Sequence, residues 1–362
     1  MSLKIIGIGT AVPRHSITQP VAAEMAKAFC SATEKRGHLL QGLYHRSRIN
    51  TRSSVLLESG NGSGIAQSFF PRQNGETDHG PTTRQRMERY AEEAVPLAQA
   101  ASQRALAQSS VATSRISHLV TVSCTGFVAP GLDIALIKRL GLPPTIGRTH
   151  IGFMGCHGAL NGLQVASAFA ERSTRARILL CAVELCSLHF SYGWDPEKLV
   201  ANALFADGAA ALVARSSGRK TDTWRLGASG SCVFPDSEDA MTWRIGDHGF
   251  EMTLSARAPA LITAYLRPWL VRWLGRQGLA LSRIRSWAIH PGGPRLLETV
   301  AACLGLPERA TAVSRDVLAE HGNMSSATLL FILERLSASG AVLPCVVLGF
   351  GPGLVVEAAI LL

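Results

Sequence analysis

The feature that most constrains this 362-residue chain is an order of elements written twice. In the first half, an apolar strand over 117–124 precedes a helix after Pro130 and a turn at Cys156 that opens a helix to about Ala170. A strand over 176–185 follows, and, after Asp207-Gly208, another over 209–215. The second half repeats the order: a strand over 285–290, a helix after Pro294, and a turn at Asn323 opening a helix to about Leu336. A strand over 344–349 and, after Gly351-Pro352-Gly353, one over 354–361 complete it. The spacing repeats as well, because Cys181 follows Cys156 by 25 residues (181 − 156) and Leu348 follows Asn323 by 25 (348 − 323). Runs of Val, Ile and Leu alternating with helical segments predict a parallel-dominated sheet, covered on both faces, in each half. Two pseudo-symmetric α/β lobes are expected, 1–215 and 216–362, joined through the polar segment 215–222.

Placing the halves in register brings three distant residues to one centre. Asn323 becomes the counterpart of Cys156 at an equivalent helix start, and His290 falls at the strand end corresponding to Ser123. Cys156 stands between a predicted strand over 149–155 and the small-residue run His157-Gly158-Ala159-Leu160-Asn161-Gly162, so its sulfur is expected at a helix N-terminus. There the helix dipole and a nearby imidazole favour the thiolate of a group whose free pKa is ~8.5. By default a buried cysteine is packing, a histidine at a strand end is a satisfied structural group, and an asparagine at a helix start is a cap. Gly155 before the cysteine and the Pro291-Gly292-Gly293 turn after the histidine, which leaves room for a ligand, favour catalysis. His157 is a poorer base than His290, because adjacent helical residues diverge by about 100°.

Composition removes several other readings. A 47% apolar content supplies a core without staples, and the longest apolar runs, 345–350 and 355–362, fall well short of the ~20 residues of a membrane span. The N-terminus runs into a strand pattern without a signal-peptide layout, so a cytoplasmic protein is expected. The eight cysteines are scattered and form no Cys-x-x-Cys pair, which argues against zinc and disulfides. The net charge of +10 comes mostly from isolated arginines, and with only four tyrosines there is no basic-aromatic patch. A polyanionic small molecule accounts for it as well as nucleic acid does, and no nucleic acid is expected. Residues 58–83 read as a long loop, and 83–108 as an amphipathic helix that carries Pro96.

Four motifs then add a family likeness: Trp287-Ala288-Ile289-His290-Pro291-Gly292-Gly293-Pro294, Gly322-Asn323-Met324-Ser325-Ser326-Ala327, Ala203-Leu204-Phe205-Ala206-Asp207-Gly208-Ala209-Ala210 and Gly349-Phe350-Gly351-Pro352-Gly353-Leu354. With them, from Gly7-Ile8-Gly9-Thr10-Ala11 to the C-terminus, the chain resembles the type III polyketide synthases, the chalcone and stilbene synthase-like members of the thiolase-fold enzymes. The resemblance implies a duplicated αβαβα layered α/β fold and an acyltransferase. Such an enzyme condenses malonyl-coenzyme A repeatedly onto an acyl-coenzyme A starter to give a small polyketide such as a pyrone or resorcinol. It needs no metal or redox cofactor and works as a homodimer.

Carried over residue by residue, the nucleophile falls on Cys156, the catalytic histidine on His290 and the asparagine on Asn323. The first gatekeeping phenylalanine falls on Phe205; the second gate position holds Met252, which implies a softer gate. Trp243 stands at a cavity position that is glycine in plant members and His189 at one that is threonine, so both imply lost volume. Cys124 matches a cavity cysteine of tetrahydroxynaphthalene synthases, a likeness nearer to microbial members, and Glu184 and Ser325 complete the expected cavity. For coenzyme A the implied contacts are Arg46 and Arg295 with Gly292 and Gly293, since two other basic positions of plant members fall on Leu39 and Gly42. The methionine that crosses the plant dimer falls on Ala129. A ketoacyl synthase III, condensing once with a carrier protein, is the nearest alternative, but its histidine lies in a His-Gln-Ala-Asn setting, unlike His290-Pro291-Gly292-Gly293. A papain-like protease matches only the interval of 134 residues between Cys156 and His290 (290 − 156) and lacks the motif around its cysteine. An intact triad also argues against a non-catalytic scaffold.

Overall fold

Two mixed sheets carry the repeat in the computed structural model, which describes residues 2–30, 33–60, 64–219 and 222–362. The first sheet consists of β1 (Ser2–Ala11), β2 (His118–Ser123), β3 (Gly147–Gly152), β4 (Arg177–Leu185) and β5 (Asp207–Ser217), in the order β1-β5-β4-β2-β3. The second sheet consists of β6 (Leu226–Val233), β9 (Ser286–Ile289), β10 (Cys345–Gly351) and β11 (Val355–Leu361), in the order β6-β11-β10-β9. A separate hairpin, β7 (Met241–Gly246) with β8 (Gly249–Leu254), interrupts the second half. The same strand order thus occurs twice. Among the described residues only the edge strand β3 has no counterpart; where it would recur the chain forms a helix, Ala312–His321.

The expected parallel dominance is not found. β2 pairs in parallel with β3 and β4, and β9 with β10, but β4–β5, β1–β5, β10–β11 and β6–β11 are antiparallel. For β10 and β11 the cause is plain: the turn at Pro352-Gly353-Leu354 is far too short for the dozen or more residues of a parallel crossover.

Helices complete five layers. Between the sheets lie α5 (Gly158–Arg172) and α10 (Ala327–Ala338), sharing one core cluster with strands of both lobes. Seven consecutive residues of α10, Ala327 to Leu333, are buried, as a helix apolar on every side requires. The outer face of the first sheet is covered by α3 (Thr83–Ser109) and α4 (Leu132–Leu140), and that of the second by α7 (Ala258–Arg276) and α8 (Pro294–Leu304). At the start of α3 a capping box fixes the boundary. The Gln85 N–H donates to Thr82 Oγ1 at 3.4 Å, and the Thr82 N–H donates to Gln85 Oε1 at 2.8 Å. Around the site lie α1 (Gln19–Lys27), α2 (Glu34–Arg46), α6 (Pro196–Leu204) and the helix just named, α9. Among the described residues no helix is long and apolar enough to cross a membrane.

Candidate active site

Three chain reversals at the join between the lobes build the site. After β3, which stops at Gly152 rather than at 155, a 3₁₀ turn over Gly155–His157 leads into α5 and holds Cys156 at its N-terminus. Gly155 has φ +70°, and a Cβ there would lie 2.3 Å from Cδ of Pro352, so only glycine lets the second lobe's Gly-Pro-Gly turn seat on the nucleophile turn. His290 follows the last residue of β9, its N–H donating to Leu348 O at 2.8 Å. Asn323 sits between α9 and α10 and pairs across the lobes, its N–H donating to Leu204 O at 2.9 Å and its carbonyl accepting from Ala206 N–H at 2.9 Å. Gly208 permits this close approach, since a Cβ on it would meet Met324 Sδ at 2.3 Å.

Cys156, His290 and Asn323 are 5%, 1% and 1% exposed and line one small chamber. The sequence places Cys156 at a helix start, but it does not show that the sulfur is also fully desolvated. Burial pushes the thiol up to about 12, against hydrogen bonds from Ser325 and Asn323 that pull it down. Burial, with the neighbouring His157, pushes His290 down to about 3. The free site therefore favours a neutral thiol beside a neutral imidazole, not the expected thiolate. Both ring nitrogens of His290 are buried without a hydrogen-bond partner among the described residues, which is costly unless a ligand supplies one. Asn323 Oδ1 accepts the Ser325 N–H at 2.9 Å, while Nδ2 lies 3.5 Å from Gly292 O. Because α10 begins only at Ala327, Asn323 is not its N-cap; its oxygen instead holds the turn in which Ser325 takes φ +46°.

Phe205 and Met252 line both this chamber and an inner cavity of about 20 Å³, so they form the partition between the two. Cys124, Ser325 and Trp243 also wall the inner cavity. Trp243 faces Met252 across the β7–β8 hairpin, and its indole N–H donates to Cys124 O at 2.7 Å. Two of the expected cavity residues stand one layer back. His189 stacks on Phe250 at 4.2 Å, with its Nε2–H donating to Thr125 O at 2.7 Å and Nδ1 accepting from Phe250 N–H at 2.9 Å. Burial pushes it down to about 3, so it is a neutral support for the Trp243 wall. Glu184 is fully buried and accepts from Cys124 N–H at 3.0 Å, Thr125 Oγ1–H at 2.9 Å and Ser326 Oγ–H at 2.5 Å, while burial raises it to about 7. It ties the Cys124 loop to the start of α10.

On the other side of the chamber opens a vestibule of about 480 Å³, lined by Arg46, Arg295, Gly292 and Gly293. The two arginines, at the end of α2 and in the first turn of α8, are exposed. Val200, Leu204, Leu254, Gly292 and Leu296 line vestibule and chamber alike and make the two continuous. Met241, Cys186 and Leu254 escaped sequence reasoning, because as apolar residues in strands or short turns they look like ordinary core. Ala129 lies on an exposed apolar edge beside Phe127 and Val128.

By fold the chain groups with type III polyketide synthases. It superposes on PKS-I of the brown alga Ectocarpus siliculosus with a TM-score of 0.91 and 30% identity, over 99% of this chain and 98% of that one. The C-terminal type III polyketide synthase domain of Steely1 from Dictyostelium gives 0.88 and 28%, over 100% and 99%. In sequence, residues 2–217 match the N-terminal domain of chalcone and stilbene synthases and 225–362 their C-terminal domain. The chain is 34% identical to the alpha-pyrone synthesis polyketide synthase-like Pks18 of Mycobacterium tuberculosis, over 98% of this chain and 89% of that protein. It is 32% identical to the 1,3,6,8-tetrahydroxynaphthalene synthase of Streptomyces peucetius, over 99% and 92%. The chain therefore belongs to the chalcone and stilbene synthase family and is an acyl-transferring type III polyketide synthase. A single-condensation ketoacyl synthase is not favoured.

Proposed function

We propose that Cys156, His290 and Asn323 carry iterative condensation of malonyl-coenzyme A onto an acyl starter, releasing a short polyketide of the pyrone class. The reading rests on one observation above all: a buried chamber holds a thiol, an amide and an imidazole whose ring nitrogens have no partner among the described residues. The starter thioester enters past Arg46 and Arg295. As Cys156 Sγ bonds to its carbonyl carbon, the thiol proton passes to His290, and the coenzyme A thiolate leaves and takes that proton up. Malonyl-coenzyme A then loses carbon dioxide. The electron pair of the broken C–C bond becomes an enolate, whose oxygen accepts hydrogen bonds from the His290 ring N–H and Asn323 Nδ2. The enolate carbon attacks the Cys156 thioester, Cys156 leaves as thiolate, and the β-ketoacyl chain, now on coenzyme A, returns to Cys156 for the next round. Exclusion of water from the chamber protects the acyl-enzyme from hydrolysis. The small inner cavity favours few extensions.

The test separates loading from decarboxylation. Cys156→Ala is expected to abolish polyketide formation and to keep measurable carbon dioxide release from malonyl-coenzyme A. Product formation at the parental rate in that variant would remove Cys156 from the mechanism.

A further inference from the structure

Behind Phe205 lies another cavity, of about 40 Å³, that the condensation cycle does not use. It is enclosed by Ile17, Met25, Phe29, Leu56, Phe70 and Phe190, all contributed by the first lobe outside the triad. Four of the five polar side chains on its wall, Arg52, Ser54, Gln67 and Ser187, are engaged in hydrogen bonds. Arg52 Nη1 donates to Asn202 O at 2.6 Å and Phe205 O at 3.0 Å, and its guanidinium lies 5.3 Å from the Phe190 ring centroid. Ser54 and Ser187 share a hydrogen bond of 2.7 Å, and Gln67 is paired with both the N–H and the carbonyl of Phe70 at 2.8 Å. A cavity whose polar lining is largely satisfied offers water few partners and accepts an apolar guest.

Among the described residues Phe205 is the one common to this cavity, the triad chamber and the inner cavity. Its backbone is held by Arg52 and by the Asn323 bridge. Its ring shares a cluster with Cys156, Cys186, Ala201 and Met252, so on that side turning it displaces small or flexible side chains. The inner cavity, walled in part by the indole of Trp243, has only about 20 Å³, which leaves the cavity behind Phe205 as an alternative outlet for a growing or preformed alkyl tail.

From this geometry we infer that the cavity behind Phe205 receives the distal end of a linear aliphatic acyl group held on Cys156, with Phe205 turning aside to admit it. The inference rests on Cys156 carrying the acyl chain, and Met25, a flexible thioether on α1, gives way to lengthen the pocket. Each methylene buried there is expected to raise kcat/KM about fourfold.

The experiment measures kcat/KM with malonyl-coenzyme A and acetyl-, butanoyl-, hexanoyl-, octanoyl- and decanoyl-coenzyme A, in the parent protein and in Met25→Trp. The indole should fill the pocket, lowering the octanoyl value at least about tenfold while the acetyl value stays within about twofold. Equal effects on both starters, or none on either, would overturn the pocket. If Met25→Trp does not fold, octanoyl-coenzyme A carrying a terminal diazirine is loaded on the parent protein, irradiated and mapped by mass spectrometry. Label on the cavity wall, at Ile17, Met25, Phe29, Leu56, Phe70 or Phe190, supports the assignment, whereas label confined to any other residues, Cys124, Trp243 and Met252 included, overturns it. Failure of the parent protein to condense or load any starter overturns the catalytic reading and this inference together; normal condensation with a misplaced label overturns this inference alone.

Discussion

The vestibule and the inner cavity flank the chamber that holds Cys156, yet they are built in opposite ways. The vestibule, at about 480 Å³, is bordered by exposed arginines and a glycine turn, whereas the inner cavity, at about 20 Å³, is closed by a tryptophan fixed to the backbone of Cys124. The outer side thus has the room and charge for a bulky polyanionic carrier and little means of telling one acyl group from another. Discrimination falls to the inner side, where a ring held by a hydrogen bond and backed by His189 and Phe250 leaves little freedom. Change in the vestibule should therefore be tolerated, and change in the inner wall should not.

The largest expected effect lies at the junction of the two regions. Asn323→Ala removes one of the two donors proposed for the enolate oxygen and should slow malonyl decarboxylation by ~10²- to 10³-fold. Decarboxylation at the parental rate would leave Asn323 with only its part in the Ser325 turn and would assign catalysis to one donor.

The next effect concerns the resting state of the thiol. With Cys156 pushed up to about 12 and His290 down to about 3, the pair is neutral throughout the intervening range. Alkylation of the free enzyme by iodoacetamide should then rise about tenfold per pH unit from pH ~6 to ~9 without a plateau. An ion pair would instead give a rate nearly flat over that range, because the thiolate would already be formed. A plateau would mean that electrostatic attraction outweighs desolvation in this chamber.

That contrast also marks what the sequence made legible. The repeat of elements, with Cys156 and Asn323 at equivalent positions and His290 at a strand end, could be read because spacing and turn residues leave a local trace. Burial leaves none: nothing in the run around Cys156 tells that it lies at the bottom of a chamber, and this is why the expected thiolate meets an opposing desolvation. The expectation of parallel-dominated sheets fails for a related reason, since a buried strand is uniformly apolar whichever way its neighbour runs. His189 and Glu184 illustrate a third limit, because an alignment position carries a residue to the neighbourhood of a cavity without telling whether it faces inward or supports the wall from behind.

Trp243 sharpens the comparison from the inner side. Trp243→Gly should admit further malonyl units or a changed ring pattern, read as a shift in product masses with one fixed starter, at a stability cost of ~3 to 5 kcal/mol in a melting experiment. Trp243→Phe separates bulk from hydrogen bonding: it keeps a ring in place and loses the donor to Cys124 O, so product length should hold. A folded Trp243→Gly protein with unaltered products would show that another wall sets the limit.

The smallest effect belongs to the vestibule and probes its supposed tolerance. If Arg46 and Arg295 meet the phosphates of coenzyme A, they do so from exposed positions where water and salt screen the attraction, so each neutralisation to glutamine should raise KM by only about two- to fivefold. Turnover should hold, because the contact is the same in ground and transition states. Raising the ionic strength should weaken binding to the parent protein in the same sense and reduce the difference between parent and variants, since the Debye length falls to ~3 Å at 1 M. The side chains stand on different helices and share no hydrogen bond, so the double variant should show roughly the product of the single effects. A loss of turnover with KM unchanged would mean that these arginines act on the reacting groups, and the vestibule would then be as exacting as the cavity behind it.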